Sequence, residues 1–218
     1  MMNDSRERVL LRIREALGPR SFLERPGLPQ VWPMTVAEPR ELVARFQKEL
    51  EAIYGQSYLY ETAEAAGAAL QALAAENKWQ KIGLNSSPLV EKVAESLPVE
   101  TIKRVSSDWS PQQIALLDAA IIPAELLLAD TGSALIICRE QHERLMCYLP
   151  PVCVIVGAVD RIFCHLPAAW PAIAAWAADL QTRGEFVIIT GPSRTADIEK
   201  ILILGVHGPK KLIVLLIG

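Results

Sequence analysis

Two patterns of apolar residues alternate along most of the chain. Short runs rich in valine, isoleucine and leucine are typical of buried strands, whereas apolar residues repeating every three or four positions are typical of amphipathic helices. Strands are predicted at residues 58–60, 81–84, 99–102, 119–122, 134–138, 152–156, 162–164, 186–189 and 211–217. Helices are predicted at residues 39–54, 62–76, 88–97 and 124–128, from Leu166 to near Gly184, and from Ser193 or Thr195 to just before Gly205. This alternation predicts an α/β fold with a largely parallel sheet flanked by helices.

The first 39 residues depart from this alternation. Ser5 to Leu17 has the pattern of an amphipathic helix, which Gly18-Pro19 would end. Prolines at positions 19, 26, 29, 33 and 39 then predict an extended strap over a surface. We therefore divide the chain into an N-terminal helix with a proline-rich strap, residues 1–39, and an α/β domain, residues 40–218. The first helix could pack against that domain or against a partner subunit.

A polar, glycine-flanked loop at residues 191–195 connects the predicted strand 186–189 to the helix predicted after it. Backbone N–H groups at the start of that helix, together with Arg194, could hold a phosphate or a carboxylate. Alternatively, Pro192 and Ser193 only turn the chain, and Asp197 and Glu199 interact with the positive end of the helix dipole. Both interpretations stay open at the level of the sequence.

His207 belongs to a second loop, Gly205-Val206-His207-Gly208-Pro209, which follows the same predicted helix. A helix of about ten residues is roughly 15 Å long, so we expect His207 near the opposite end from Ser193. The histidine could contribute to a site or could be an ordinary loop or core residue. A single subunit therefore need not bring the two loops together.

The turn Asp130-Thr131-Gly132-Ser133 precedes the predicted strand 134–138 and carries two hydroxyls. Such a turn could donate hydrogen bonds to an oxyanion, or it could be a tight turn in which glycine adopts positive φ and Asp130 caps backbone groups. In a sheet that is parallel throughout, this turn and His207 would lie on one edge. The Ser193 loop would then lie on the opposite edge, where open α/β sheets usually bind ligands.

Composition excludes several classes of protein. Lysine and arginine number 22 against 25 acidic residues, for a net charge of −3, which is untypical of a nucleic-acid-binding protein. No secretory signal and no run long enough to span a bilayer is recognisable, so we expect a cytoplasmic protein. The four cysteines form no C-x-x-C pair, and the spacing of Cys138, His142 and Cys147 fits no familiar metal site. We therefore expect no metal site.

The sequence lacks the glycine-rich fingerprints of dinucleotide-binding and Walker-type proteins, and it lacks a G-x-S-x-G elbow. No nucleophile and base can be paired from their spacing, so no catalytic residue is assigned and the question of enzymatic activity stays open. Arg144 could pair with a ligand carboxylate or with a neighbouring acidic side chain. The candidate ligand-binding residues are Thr131, Gly132, Ser133, Gly191, Pro192, Ser193, Arg194, Thr195, Asp197 and His207.

These segments together resemble one family. The turn 130–133, Arg144 followed by Leu149-Pro150, and the two loops 191–199 and 205–209 are similar to the LUD-domain proteins, and within them to the LutC/YkgG group (lactate utilization protein C). The resemblance covers about residues 40–218 and is strongest after residue 118. Ser133 is a departure, because the family more often has threonine there, although serine keeps the hydroxyl.

The resemblance implies a fold similar to the NagB/RpiA/CoA-transferase superfamily. It also implies an accessory role in oxidising L-lactate to pyruvate, beside iron–sulfur partner subunits, with no intrinsic cofactor on this chain. A small anionic ligand and a homo-oligomer are compatible with it. The alternatives are a stand-alone isomerase or transferase that acts on a phosphorylated or CoA-linked molecule, and a purely structural assembly factor.

Overall fold

The computed structural model describes residues 3–17, 38–85, 87–182, 184–196, 202–204 and 208–218. The chain forms two compact units, Met1–Pro33 and Met34–Gly218. The first contains helix α1, Asn3–Leu17, which confirms the amphipathic helix predicted from Ser5 to Leu17. The proline-rich strap predicted up to Pro39 lies outside the described residues as far as position 37.

The second unit contains the remaining helices and all the strands of the described residues. The helices are α2 Pro39–Ala52, α3 Ala63–Glu76, α4 Pro88–Ala94, α5 Pro111–Ala115, α6 Gln141–Met146 and α7 Leu166–Ala178. The strands are β1 Gln56–Tyr60, β2 Ile82–Leu84, β3 Ile102–Arg104, β4 Ala119–Pro123, β5 Leu126–Leu128, β6 Ser133–Cys138, β7 Val152–Ala158, β8 Ile162–Phe163, β9 Glu185–Ile189, β10 Arg194–Ala196, β11 Leu202–Leu204 and β12 Lys211–Ile217.

Half of these strands form a parallel sheet with the order β1-β12-β7-β4-β2-β3. The central strands β4, β7 and β12 are apolar almost throughout because both faces of the sheet are covered. One face packs on α3 and α4 through a core that includes Leu70, Val90 and Ile213. The predicted α/β architecture, with a largely parallel sheet flanked by helices, is confirmed.

A smaller sheet lies on the opposite face of the parallel sheet. Its order is β8-β5-β6-β9, with β6 antiparallel to both β5 and β9. The core between the two sheets also holds the buried side of α2, with Phe46 and Leu50 fully buried. Beyond the smaller sheet, α7 covers a third cluster that contains Leu126 and Ile173. The layers are therefore helix, mixed sheet, parallel sheet and helix.

Two predicted helices are wrong. Residues 126–128 form strand β5 although leucine favours helices, because they pair with β6 inside the core. Residues 194–196 and 202–204 form the antiparallel strands β10 and β11, with Arg194 opposite Leu204, where a single helix was predicted. Ser193 and Gly205 resemble helix caps, but the residues immediately inside them pair as strands. Among the described helices, none has the length and apolar character required to cross a bilayer.

Candidate functional site

The antiparallel pairing of β6 and β9 brings two of the predicted loops together. Because Ala134 pairs with Ile189, the turn before β6 lies beside the residues that follow β9. The Ser133 hydroxyl is within 2.7 Å of the Thr131 and Thr190 hydroxyls. Strand reversal within one chain is thus sufficient to join segments that are 57 residues apart. We call Thr131, Gly132, Ser133, Thr190 and Gly191 the hydroxyl corner.

The hydroxyls of the corner form a hydrogen-bonded chain that ends on a carboxylate. Thr131 Oγ1 donates to Asp130 Oδ1 at 3.4 Å. Ser133 is buried, whereas the Thr131 and Thr190 side chains are exposed. Ser133 donates to Thr131, so Thr190 donates to Ser133 and each of the three hydroxyl hydrogens is used within the chain. The two exposed threonine oxygens therefore offer acceptors to a bound molecule, and Thr190 can donate to it only by giving up its bond to Ser133. Thr190 was missed from the sequence, although a hydroxyl residue directly between a predicted strand and Gly191 is a signal that could have found it.

Two glycines with positive φ shape the corner. Gly132 has φ of 61° and Gly191 has φ of 79°, a region that other residues rarely adopt. A Cβ on Gly132 would lie 2.4 Å from the backbone nitrogen of Leu50, and one on Gly191 would lie 3.0 Å from the Cδ1 atom of Ile53. Both glycines therefore pack against the carboxyl-terminal end of α2. This is the tight-turn role weighed for Gly132 at the sequence level.

The Ser193 loop differs from its prediction in a way that changes its chemistry. No helix begins there, and the Ser193 N–H donates to the Pro209 carbonyl at 2.9 Å. That N–H is consequently unavailable to an anion. A Cβ on Gly208 would lie 3.0 Å from Ser193 Cβ, so the two predicted loops meet at these two residues.

The remaining residues of that loop contribute unequally to the site. Pro192 is buried, Arg194 is exposed at the start of β10, and Thr195 lies within β10. Asp197, Glu199 and His207 lie outside the described residues. The polar side chains of this loop that the structure describes are therefore the half-buried Ser193 and the exposed Arg194.

The corner lies at the amino edge of the parallel sheet. The Ser193 N–H bonds to Pro209, just before β12, and Lys210 N–H bonds to the Pro151 carbonyl, just before β7. If the whole sheet were parallel, the Ser193 loop was predicted to lie at its carboxyl edge. That placement is wrong because β9 belongs to the second sheet and runs antiparallel to β6.

The electrostatics of the corner limit what it can bind. The negative end of the α2 dipole and the Asp130 carboxylate both lie next to the hydroxyls. These groups disfavour a multiply charged anion such as a phosphate ester. Hydroxyl donors and acceptors are better suited to a neutral or singly charged polar molecule.

Arg144 forms an ion pair with a carboxylate of the protein itself. Its guanidinium lies 2.9 Å from Glu185 Oε2, a residue at the start of β9. The Glu185 charge raises the pKa of Arg144 above its ordinary value. Both side chains are partly exposed, so the pair joins α6 to β9 with a modest contribution to stability. Of the two roles predicted for Arg144, pairing with a neighbouring acid is the one observed.

The cysteine and histidine residues do not assemble a metal site within the described part of the chain, where no group of three potential ligands occurs. Cys138 and Cys147 are buried free thiols with their sulfur atoms 3.9 Å apart. The Cys147 thiol lowers the pKa of Cys138 by hydrogen bonding, and the same contact raises the pKa of Cys147. His142 Nδ1 instead lies 3.3 Å from Glu140 Oε2.

Comparisons with known proteins agree with this architecture. The crystal structure of a DUF162 family protein from Deinococcus radiodurans superimposes with a TM-score of 0.63, covering 84% of this chain and 100% of that one at 21% identity. Lactate utilization protein C of Geobacillus thermodenitrificans is 31% identical over 93 residues, which are 40% of this chain and 37% of that protein.

A second relative, lactate utilization protein C of Bacillus licheniformis, is 25% identical over 154 residues, or 70% of this chain and 64% of that protein. The chain thus spans between about a third and two thirds of the length of these relatives. The LUD domain model matches residues 43–217, which include every described residue of the hydroxyl corner. The chain therefore belongs to the LUD domain family.

Proposed function

We propose that this protein is an accessory component of a system that oxidises L-lactate to pyruvate and that it works with iron–sulfur partner proteins. Its support is that the relatives from Geobacillus thermodenitrificans and Bacillus licheniformis both carry the name lactate utilization protein C. In this system the redox cofactors belong to the partners. The chain itself supplies binding and positioning.

The role in lactate oxidation is tested by deleting the gene in its native host. We expect loss of growth on L-lactate as the sole carbon source and unchanged growth on pyruvate, which enters metabolism after the proposed step. Reintroducing the intact gene should restore growth on lactate. Normal growth of the deletion strain on L-lactate would refute the role.

Partnership is tested by affinity capture of the full chain from lactate-grown cells. We expect iron–sulfur proteins to co-purify, identified by mass spectrometry and by the visible absorption of their clusters. Cells grown on pyruvate provide the matched background. Capture that yields no iron–sulfur protein in lactate-grown cells would contradict the partnership.

We further propose that the hydroxyl corner binds a small, singly charged carboxylate. The observation that carries this proposal is the hydrogen-bonded chain from Thr190 through Ser133 and Thr131 to Asp130, in which the Thr190 and Thr131 side chains are exposed. A hydroxy acid presents a hydroxyl, which can donate to the exposed threonine oxygens, and a carboxylate, which Thr190 can bind by donating to it in place of Ser133. The stand-alone transferase alternative loses its main support, because no helix begins at the Ser193 loop.

Thermal-shift titration of the purified chain separates these ligand classes. We expect lactate or pyruvate to raise the melting temperature progressively with concentration, since a ligand at a hundred times its dissociation constant stabilises the folded protein by about 2.7 kcal/mol. Phosphate and CoA should have no comparable effect. The Ser133→Ala/Thr190→Val double variant, compared at its own melting temperature, should lose the response. Stabilisation by phosphate or CoA alone would overturn the assignment.

A further inference from the structure

Strand β1 lies at one edge of the parallel sheet. It pairs with β12 on one side, and no described strand pairs with its other side. Its residues, Gln56 to Tyr60, include no charge and no proline, the features with which proteins usually block an edge. Tyr58, a residue type that favours strands, is 38% exposed, and Leu59 is 52% exposed. Such an edge is suited to pairing with another strand.

The orientation of the β1 backbone identifies which groups face outward. The Gly218 N–H donates to the Tyr60 carbonyl at 3.0 Å, so Tyr60 directs its carbonyl toward β12. Backbone groups of successive residues in a strand point to alternate sides. Ser57 and Leu59 therefore present their N–H and C=O groups at the free edge. Tyr58, between them, does not.

A trough runs along this edge between β1 and one face of α2. The α2 side consists of Arg40, Ala44, Gln47 and Glu51, whose spacing places them on a single helix face. One half of the trough has a volume of about 590 Å³ and borders Ser57 and Tyr58. The other half has about 670 Å³ and borders Leu59 and Tyr60. Gln47 lines both halves, so the two halves adjoin each other.

The charges on the α2 face of the trough are self-complementary, and Glu61 lines the same end of the trough as Arg40. Arg40 lies at one end of the α2 face and Glu51 at the other, with Ala44 and Gln47 between them. An antiparallel second copy would place its Glu51 opposite Arg40 and its Gln47 opposite Ala44. Each contact then occurs twice, as a twofold interface requires. A peptide of unrelated sequence would not in general carry charges complementary to this order.

We propose that a second copy of the chain occupies the trough, with β1 of each copy antiparallel to β1 of the other and the twofold axis at Tyr58. Ser57 pairs with Leu59 of the second copy through the outward backbone groups, which joins the two parallel sheets into one continuous sheet. The two Tyr58 side chains face each other as a non-hydrogen-bonded cross-strand pair. The α2 helices pack side by side above this junction.

Solution mass tests the assembly directly. We expect sedimentation and light scattering of the full chain to give twice the 24.0 kDa chain mass at micromolar concentration. Tyr58→Lys places like charges against each other on the axis and should give a monomer with unchanged circular dichroism. The matched control, Leu116→Lys, changes an exposed apolar residue away from the trough and should stay dimeric. A monomeric parent chain, or a dimer that survives Tyr58→Lys, would overturn the proposal.

A cross-link tests the register even if the dimer dissociates readily. Opposed residues of a non-hydrogen-bonded antiparallel pair have Cα atoms about 4.5 Å apart, within the range that a disulfide bridges. Tyr58→Cys should therefore form a covalent dimer under mild oxidation, visible on a non-reducing gel. Val99→Cys, at an exposed site outside the trough, should not. Equal cross-linking of the two variants would contradict the register.

A charge swap tests the helix contact. Arg40→Glu or Glu51→Arg alone opposes like charges at both ends of the interface, and we expect each to weaken the dimer about tenfold. The double variant restores both pairs in reversed order and should recover the parent dissociation constant. Failure of the double variant to recover, with both single variants weakened, would show that these charges do not meet.

Discussion

At the residue scale, the site depends on what lies behind its two glycines. A Cβ on Gly132 would collide with backbone atoms of Leu50, whose nitrogen and Cα lie 2.4 and 2.7 Å away. A Cβ on Gly191 would meet mainly the end of the Ile53 side chain at 3.0 Å and the Ile53 carbonyl at 3.1 Å. The Ile53 side chain can rotate away, whereas the backbone of a helix cannot.

We therefore expect Gly132→Ala to destabilise the protein more than Gly191→Ala. Both variants incur the strain of positive φ, about 1–2 kcal/mol, and only the first also displaces helix backbone, for a total of about 2–4 kcal/mol. Urea unfolding of the two variants beside the parent chain provides the measurement. Equal losses, or a larger loss for Gly191→Ala, would contradict the packing at α2.

Glu64 supplies a pH-dependent contribution to stability. Its hydrogen bond to Lys92, at 2.9 Å, lowers the pKa of Glu64 from 4.5 to about 2. Because the folded pKa is the lower one, the contribution is fully present above pH 4.5 and is lost as the pH falls toward 2. Glu64→Gln should lower the urea midpoint at pH 6 and match the parent near pH 2.

Both side chains of this pair are largely exposed, so the effect should be small and should shrink in high salt. Glu100→Gln, which changes an exposed carboxylate outside the pair, serves as the control. A Glu64→Gln difference that persists unchanged at pH 2 would show that the pair is not its cause.

At the scale of the elements, the Ser133 hydroxyl connects the start of β6 to the end of β9. It is buried and contacts two hydroxyls, whereas Thr190 is exposed and can replace its contact with water. Ser133→Ala should cost about 1–2 kcal/mol and Thr190→Val less than about 1 kcal/mol. Equilibrium unfolding of the two variants checks this order. A larger loss of stability for Thr190→Val than for Ser133→Ala would show that the buried Ser133 hydroxyl does not connect the two strands.

The sequence predicted individual elements better than their pairing. The strands β4, β7 and β12 and the helices α2 and α3 were recognisable because burial leaves a clear apolar pattern. The hairpin of β10 and β11 was not, because Ser193 and Thr195 are good helix caps and favoured a helix up to Gly205. Similarly, Leu126 to Leu128 is a strand because of its neighbours in the core.

For the candidate site as well, the individual residues could be predicted from the sequence, whereas their proximity could not. Thr131, Gly132 and Ser133 were identified from their turn, and Gly191 from its loop. Their proximity could not be predicted, because it depends on β6 and β9 being antiparallel, a direction that apolar runs do not encode. Thr190 was missed for that reason: its hydroxyl acquires a role only when Ser133 lies opposite.

At the scale of the whole molecule, the two sheets approach each other closely at Leu127. This residue is fully buried on the side of β5 that faces the parallel sheet, and its Cδ1 atom would lie 2.9 Å from a Cβ on Gly157 of β7. The close approach of the sheets thus requires a large side chain on one and none on the other.

Leu127→Ala should cost about 2–5 kcal/mol through the cavity it leaves, and Gly157→Ala about 1–3 kcal/mol through overpacking. The double variant should be more stable than the sum of the two losses predicts, because the new methyl group fills part of the cavity. The free energies of unfolding of the parent chain, the two single variants and the double variant, measured by heat and by urea, complete this double-mutant cycle. Strict additivity would show that the two residues do not share this space.

The hydroxyl corner owes its shape to main-chain atoms rather than to the side chains that give it chemistry. Gly132 packs against the backbone of α2, and this contact sets the position of the turn, whereas the hydroxyl groups supply its polar contacts. Substituting Thr131 or Thr190 by other residues should therefore change which ligands the corner prefers and leave its backbone conformation unchanged. Selection, in nature or in the laboratory, could redirect such a scaffold one substitution at a time.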